Sequence, residues 1–291
     1  MECSAVNAVI KESAATLAAA WIRRARWEAE QIVSSVMGCE PITLIVDPPE
    51  LLPAEREEVQ RKVQLRAGGV PLQHLTGIAG FCGHDLVVGP EALIPRPETE
   101  RLVEVALREL GQLAVRRPTV VDVGTGSGAI AISLTAAFSV GTMLGLDLSD
   151  RALAVARENA VRLAAATDMR WLQSDLLTAC APGSIDLIVA NLPYIPSSAI
   201  PLLPPEVQRD PVMAVDGGSD GLAVIRRLMN QAPDRLRPHG VVALEVGAGQ
   251  AGQLQREYAT DWVECDIVLD DTGTERVIVL RRAKRGVPHG G

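Results

Sequence analysis

Two stretches of this 291-residue chain combine residue types at spacings that can do chemistry. The first runs Val120-Val121-Asp122-Val123-Gly124-Thr125-Gly126-Ser127-Gly128-Ala129-Ile130, from an apolar segment through a glycine-rich turn into a second apolar segment. Glycines 124, 126 and 128 let the backbone turn sharply and approach a ligand closely, while the start of a following helix offers amides to an anion. A tight strand-to-helix turn that binds nothing would look the same. The spacing is Gly-x-Gly-x-Gly, unlike the Gly-x-Gly-x-x-Gly of dinucleotide sites. The second stretch is Asn191-Leu192-Pro193-Tyr194, directly after the apolar run Asp186–Ala190. The Asn191 side-chain oxygen and the Leu192 backbone carbonyl are two acceptors, enough to hold both protons of an NH2 group. That suits chemistry at a planar nitrogen, whose delocalised lone pair is a poor nucleophile and must be oriented. Tyr194 is either a flat wall for that group or a packed aromatic at a strand end. Pro193 keeps Leu192 extended.

These segments need a frame, and the pattern supplies one. Thr119–Val123, Thr142–Asp147, Met169–Gln173, Ile185–Ala190 and Gly240–Val246 read as strands, with helices over Ser127–Ala137, Asp150–Ala165 and Gly221–Leu236. Such alternation implies a doubly wound α/β fold with a mostly parallel sheet. Two late runs, Val263–Leu269 and Arg276–Leu280, have only the turn Asp270–Thr274 between them and should pair as an antiparallel edge hairpin. Ligands in such sheets bind beyond the carboxyl ends of the strands, where both chemical stretches begin. Ahead of the sheet, residues 4–37 read as two helices broken near Arg24–Trp27, and Pro53–Gln64 as another. Short apolar runs between glycines over Gly77–Leu93 read as a β-hairpin, and Glu100–Leu110 as an amphipathic helix. The expected division is a small helical domain over 1–75, a hairpin linker over 76–95, an α/β domain over 96–283, and a flexible tail over 284–291.

Composition narrows the function classes. At 47% hydrophobic and 22% charged the chain can fill a core, and with 3% aromatic residues that core is aliphatic. The net charge of -8 argues against a protein that grips nucleic-acid phosphates directly. Five scattered cysteines without a C-x-x-C pair, and four scattered histidines, suggest free thiols in a reducing cytoplasm and no metal site. No signal-peptide layout and no apolar stretch of about 18 residues is present, so no membrane span is expected.

The glycine turn resembles the first motif of class I, Rossmann-like, S-adenosylmethionine-dependent methyltransferases. The resemblance implies S-adenosylmethionine as cofactor and S-adenosylhomocysteine as product. It sets Gly124, Thr125, Gly126, Ser127 and Gly128 against the methionine part, and Asp122 near the ammonium group. Asp147 would accept from the ribose hydroxyls, though a helix-capping acid is the alternative and Ser149 or Asp150 fits that task better. Asp175 and Leu176 would meet the adenine, Asp175 as acceptor for the exocyclic amine and Leu176 as cover for the ring; a plain loop acid is the alternative.

Residues 60–250 as a whole resemble the protein-(glutamine-N5) methyltransferases that modify peptide-chain release factors. The resembling segments are Arg66-Ala67-Gly68-Gly69-Val70-Pro71, the Gly77…Phe81-Cys82-Gly83 hairpin and Leu93-Ile94-Pro95-Arg96-Pro97-Glu98-Thr99-Glu100. The glycine turn, Asp147-Leu148-Ser149, Asn191–Tyr194, Asp216–Leu222 and Leu244-Glu245-Val246-Gly247 continue the series. The run at 93–100 is the most specific of these. Implied is methyl transfer to the side-chain amide nitrogen of the glutamine in the Gly-Gly-Gln loop of class I release factors. Asn191, Leu192, Pro193 and Tyr194 would hold that amide, Phe81 would pack against it or against the reacting methyl, and Arg96 and Glu98 would brace the site or form a linker salt bridge. The family's usual acceptor motif is Asn-Pro-Pro-Tyr, so Leu192 is a departure, as is Asp210-Pro211 for Glu-Pro. Asn-Leu-Pro-Tyr is itself similar to the motif of ribosomal-RNA adenine dimethyltransferases, which makes N6-methylation of adenine the alternative activity. A non-catalytic module that kept the fold is a third.

Overall fold

The computed structural model describes residues 5–163, 169–259 and 262–282. The expected tail at 284–291, and the last turn of the helix expected to reach Ala165, lie outside them. The chain divides into two compact units, Met1–Ile78 with Pro204–Arg209, and Ala79–Leu203 with Asp210–Gly291.

The first unit is helical: α1 (Ala5–Ala19), α2 (Ala25–Met37), α3 (Thr43–Val46), α4 (Pro53–Ala67) and α5 (Leu72–Thr76). Val9, Leu17, Ile32, Val33, Val59 and Val63 form its core where α1, α2 and α4 meet. The break between the first two helices falls at 20–24, earlier than the expected Arg24–Trp27. Trp21 sits there at φ 62° and 91% exposed, while Trp27 is already inside α2 with the Arg24 guanidinium 4.4 Å over its ring. Neither tryptophan belongs to the buried core of this unit. Arg66 is buried between the carboxylates of Glu28 and Glu206, so the hexapeptide Pro204–Arg209 is tied into this unit by charge.

The second unit opens with the hairpin β1 (Ile78–Phe81) and β2 (His84–Val87). Its two-residue turn has Cys82 at φ 47° and Gly83 at φ 75°, the positive pair that matches strand twist. Then follow α6 (Glu100–Gln112), β3 (Thr119–Val123), α7 (Ala129–Ala137), β4 (Thr142–Asp147), α8 (Asp150–Arg162), β5 (Met169–Gln173) and β6 (Ile185–Ala190). The rest comprises α9 (Val212–Val215), α10 (Ala223–Arg235), β7 (Leu236–Glu245), α11 (Gln250–Tyr258), β8 (Trp262–Leu269) and β9 (Glu275–Arg282). Seven strands form one sheet in the order β5-β4-β3-β6-β7-β9-β8. The first five in that order run parallel, and β9 pairs antiparallel with both β7 and β8.

The period-2 alternation of strand side chains builds a core on each face. Val121, Val123, Ile188, Ala190, Val242 and Leu244 point to one side, toward α10 and α11. Val120, Leu187, Val189, Val241 and Ala243 point to the other, toward α6 and α7. Strand order reverses between β3 and β6, so the crevice beyond their carboxyl ends is the switch point where such sheets bind ligands. The glycine turn leaves β3 there, and Asn191–Tyr194 leaves β6 beside it. Helix α7 starts at Ala129 and not Ser127, because Gly128 stands at φ 82° outside the helical region. Strand β7 starts four residues earlier than the sequence suggested, pairing Leu236 with Ile185 before a register shift.

Candidate active site

The glycine turn is stapled to the strand beside it. The amides of Gly124 and Thr125 both donate to the Leu146 carbonyl, at 2.8 and 2.9 Å, and the Gly126 amide donates to Asp147 Oδ2 at 2.9 Å. These donors are therefore used inside the protein, while Ser127 and the first-turn residues Ala129 and Ile130 of α7 also face the cavity. Two of the glycines are required by their neighbours. A Cβ on Gly124 would lie 3.0 Å from Leu192 Cδ2, and one on Gly128 would lie 3.0 Å from Trp171 and 3.1 Å from Ala156.

A cavity of 630 Å³ opens beyond the ends of β3, β4 and β6, its wall including Thr125, Gly126, Asp147, Asp175, Leu176 and Asn191. Gly124, Ser127, Leu192, Pro193 and Arg96 also face it. Asp147 accepts from Gly126 and, through Oδ1, from the Ser149 amide at 2.9 Å; burial raises its pKa and these backbone bonds oppose the rise. The helix cap is Ser149, whose hydroxyl accepts from the Ala152 amide at 3.2 Å, so Asp147 is not needed for that task. Leu176 is 7% exposed at φ 53°, a left-handed backbone that costs a non-glycine residue about 1–3 kcal/mol and is held by its surroundings. Asp175 pairs with Arg227, which also lines the cavity and carried no role in the sequence reading. Arg96 pairs with the buried Asp210, so the salt-bridge alternative describes it well.

Four of the expected site residues stand outside the cavity wall. Phe81 is 2% exposed and packs in the core with Leu86, Leu102 and Val103, because β1 turns Ala79 and Phe81 inward together. Gly128 serves the packing of α7 as described. Tyr194 is half-buried, its hydroxyl donating to Glu245 Oε1 at 3.3 Å, and burial with the nearby Glu245 charge pushes its pKa up to about 12. Asp122 lies fully buried behind the turn, where its Oδ2 accepts from the Thr125 hydroxyl at 2.6 Å and the Ala131 amide at 3.2 Å while Oδ1 has no partner. It braces the loop from behind.

Burial pushes the Asp122 pKa from 3.8 up to about 7, against the pull of those two hydrogen bonds. A carboxyl raised in the folded state contributes stability that is complete below its ordinary pKa and is lost as pH climbs through the raised value. Asp122→Asn keeps an oxygen for both donors and cannot ionise. Its melting temperature relative to wild type is therefore expected to rise from about pH 5 to about pH 8. A difference that stays flat across that range would show that Asp122 ionises normally.

The acceptor motif is held by residues the sequence reading did not single out. Asn191 Nδ2 donates to the buried Thr99 hydroxyl at 3.0 Å. Glu245, 2% exposed at the end of β7, lies beside both the Thr99 and Tyr194 hydroxyls. The Tyr194 carbonyl accepts from Gln250 Nε2 at 2.9 Å. An excursion over 196–215 is closed at its base by Ile195, whose amide donates to the Val215 carbonyl and whose carbonyl accepts from Gly217. Gly221, at φ 79°, approaches so closely that a Cβ there would stand 2.2 Å from the Tyr194 carbonyl oxygen. The visible signals were a carboxylate ending an apolar strand and the cluster Gly217-Gly218-Ser219-Asp220-Gly221.

Comparison with known proteins completes the picture. Residues 8–77 match the family described as PrmC N-terminal domain, and residues 120–210 match a methyltransferase domain family. A release factor glutamine methyltransferase of Moorella thermoacetica is 41% identical over 249 residues, covering 85% of this chain and 87% of that protein. Another, of Deinococcus radiodurans, is 36% identical over 94% of this chain and 98% of its own length. Among solved structures, a methyltransferase from Pyrococcus furiosus superposes with a TM-score of 0.51 at 16% identity, covering 80% of this chain and all of that one, a likeness of fold alone.

Proposed function

Since the chain belongs to the release factor glutamine methyltransferase family, we propose that it methylates the side-chain amide nitrogen (N5) of the glutamine in the Gly-Gly-Gln loop of class I release factors. The observation that carries this reading is the shared cavity: Asn191, Leu192 and Pro193 face the same space as the glycine turn and Asp147. S-adenosylmethionine, when bound, supplies a methyl group on a positively charged sulfur, open to in-line attack by nitrogen. The residues present suit that donor. Gly124 and Gly126 offer bare backbone for close approach, Asp147 offers acceptors for a ribose diol, and Asp175 and Leu176 offer a carboxylate and an apolar cover for adenine. The first-turn amides of α7 are the natural seat for the methionine carboxylate.

In this proposal Asn191 Oδ1 and the Leu192 carbonyl accept the two N–H protons of the glutamine amide. They fix the plane of the group, aim its lone pair at the methyl carbon, and stabilise the positive charge that grows on nitrogen as the bond forms. Pro193 keeps the Leu192 carbonyl extended, and Tyr194 acts as a buttress behind the motif. The helical region at 1–75 is proposed to recognise the release factor, with 76–95 as linker and 96–283 as the catalytic part. The whole acts in the cytoplasm, where such substrates work. No helix among the described residues is long and apolar enough to cross a membrane.

The test is methyl transfer from labelled cofactor to a purified release factor, alongside the same factor with its loop glutamine changed to Ala, ribosomal RNA and DNA. Label is expected in the intact factor and absent from the glutamine variant. Label confined to nucleic acid would overturn the assignment and favour the adenine activity.

A further inference from the structure

We propose that Thr99 and Glu245 are positioning residues that fix which end of the Asn191 side-chain amide faces the acceptor. The inference rests on the reading of Asn191 as the group that holds the acceptor nitrogen. An Asn amide has two ends of nearly equal size, one an acceptor and one a double donor. Turned the wrong way, Asn191 would point N–H groups at the N–H groups of its substrate. Packing alone cannot choose between the two.

The choice is made by a directed chain of hydrogen bonds. An ionised carboxylate only accepts, and a hydroxyl has one proton to give. Glu245 is 2% exposed, its Oε1 takes the Tyr194 hydroxyl at 3.3 Å, and Oε2 is buried with no hydrogen-bond partner. Burial raises the Glu245 pKa, and the Thr99 hydroxyl beside this carboxylate opposes the rise. With its proton turned toward that unpartnered carboxylate oxygen, Thr99 Oγ1 offers only lone pairs to Asn191, whose Nδ2 stands 3.0 Å away. Asn191 Oδ1 is thereby the end left for the substrate. The charge on Glu245 is supported by Arg276 on β9 and opposed by Glu98 ahead of α6. Four segments distant in sequence thus converge on the polarity of one amide.

Thr99→Val removes the hydroxyl and keeps the shape. Its turnover number is expected to fall about 10²-fold, the scale of a small misplacement at a reacting group. KM for S-adenosylmethionine should change little, because valine keeps the methyl surface that Thr99 presents to the cavity wall, while loss of the buried hydrogen bond should lower the melting temperature. Thr99→Ser, which keeps the hydroxyl, should recover most of the loss. Glu245→Gln, whose amide can donate back to Thr99 and reverse the chain, should lose turnover as Thr99→Val does. Adding Thr99→Val to Asn191→Ala should cost nothing more. A Thr99→Val enzyme with normal turnover, or a loss that Ser fails to recover, overturns the relay. If Asn191→Ala is inactive while Thr99→Val is not, the relay fails and the acceptor reading stands. If Asn191→Ala itself turns over normally, the reading beneath it falls.

Discussion

Asn191→Ala is expected to lower turnover about 10³-fold, the upper range for removing one preorganised electrostatic partner from a reacting centre. Affinity for S-adenosylmethionine should stay within about threefold, so the loss falls on the chemical step and not on loading of the donor. The reason lies in the acceptor. An amide nitrogen shares its lone pair with its carbonyl, so it attacks only when its geometry and developing charge are controlled. Asn191 sits at the carboxyl end of β6, a strand buried at all six positions, so its side chain starts from a rigid base. Alanine leaves that base intact and removes the oxygen. A variant that binds cofactor and still transfers methyl groups near the normal rate would show that the tetrapeptide does something else. Equilibrium binding of the cofactor and single-turnover methylation separate the two outcomes.

Gly221→Ala is the second large effect. At φ 79° an L-residue incurs about 1–2 kcal/mol of backbone strain, and here the added Cβ would also stand 2.2 Å from the Tyr194 carbonyl oxygen. That oxygen is fixed by Gln250 and leads straight into the acceptor motif, so neither partner can retreat cheaply. A loss above about 4 kcal/mol is expected, in the range reserved for a named steric cause, together with a drop in turnover. Gly249 is the control. It has φ 80° and nothing within 4 Å of the added atom, so Gly249→Ala should lose only the strain, about 1–2 kcal/mol. Equal losses at the two positions, read from denaturant unfolding, would mean that the close approach at Gly221 relaxes freely.

The contrast between what could and could not be read beforehand follows burial. Strands β3 and β6 match their expected limits because continuous apolar runs bounded by turn residues leave few other options once both faces are covered. The ends of β4 and β6 also marked Asp147 and Asn191, since a polar residue that closes a buried strand sits at the sheet's edge by construction. Short helices such as α3, α5 and α9 went unforeseen, because helices of four or five residues are marginal alone and are stabilised by contacts the chain makes elsewhere. Phe81 shows a different limit. The hairpin was visible, but which of its sides meets the core depends on partners far along the chain. Thr99 and Glu245 were hidden for the same reason: they lie in segments far apart in the chain, and their meaning appears only when the start of α6, the end of β6 and the end of β7 are brought together.

The three hydrogen bonds that staple the glycine turn to the end of β4 bear on the thermodynamics of loading. A glycine-rich loop left loose would have to be immobilised by each incoming ligand, and that entropy would be subtracted from affinity at every cycle. Here Gly124, Thr125 and Gly126 are immobilised when the sheet forms. The socket is rigid before anything enters it. Its ordering entropy is charged to folding once, and a small molecule arriving in the crevice gives up mainly its own freedom of motion.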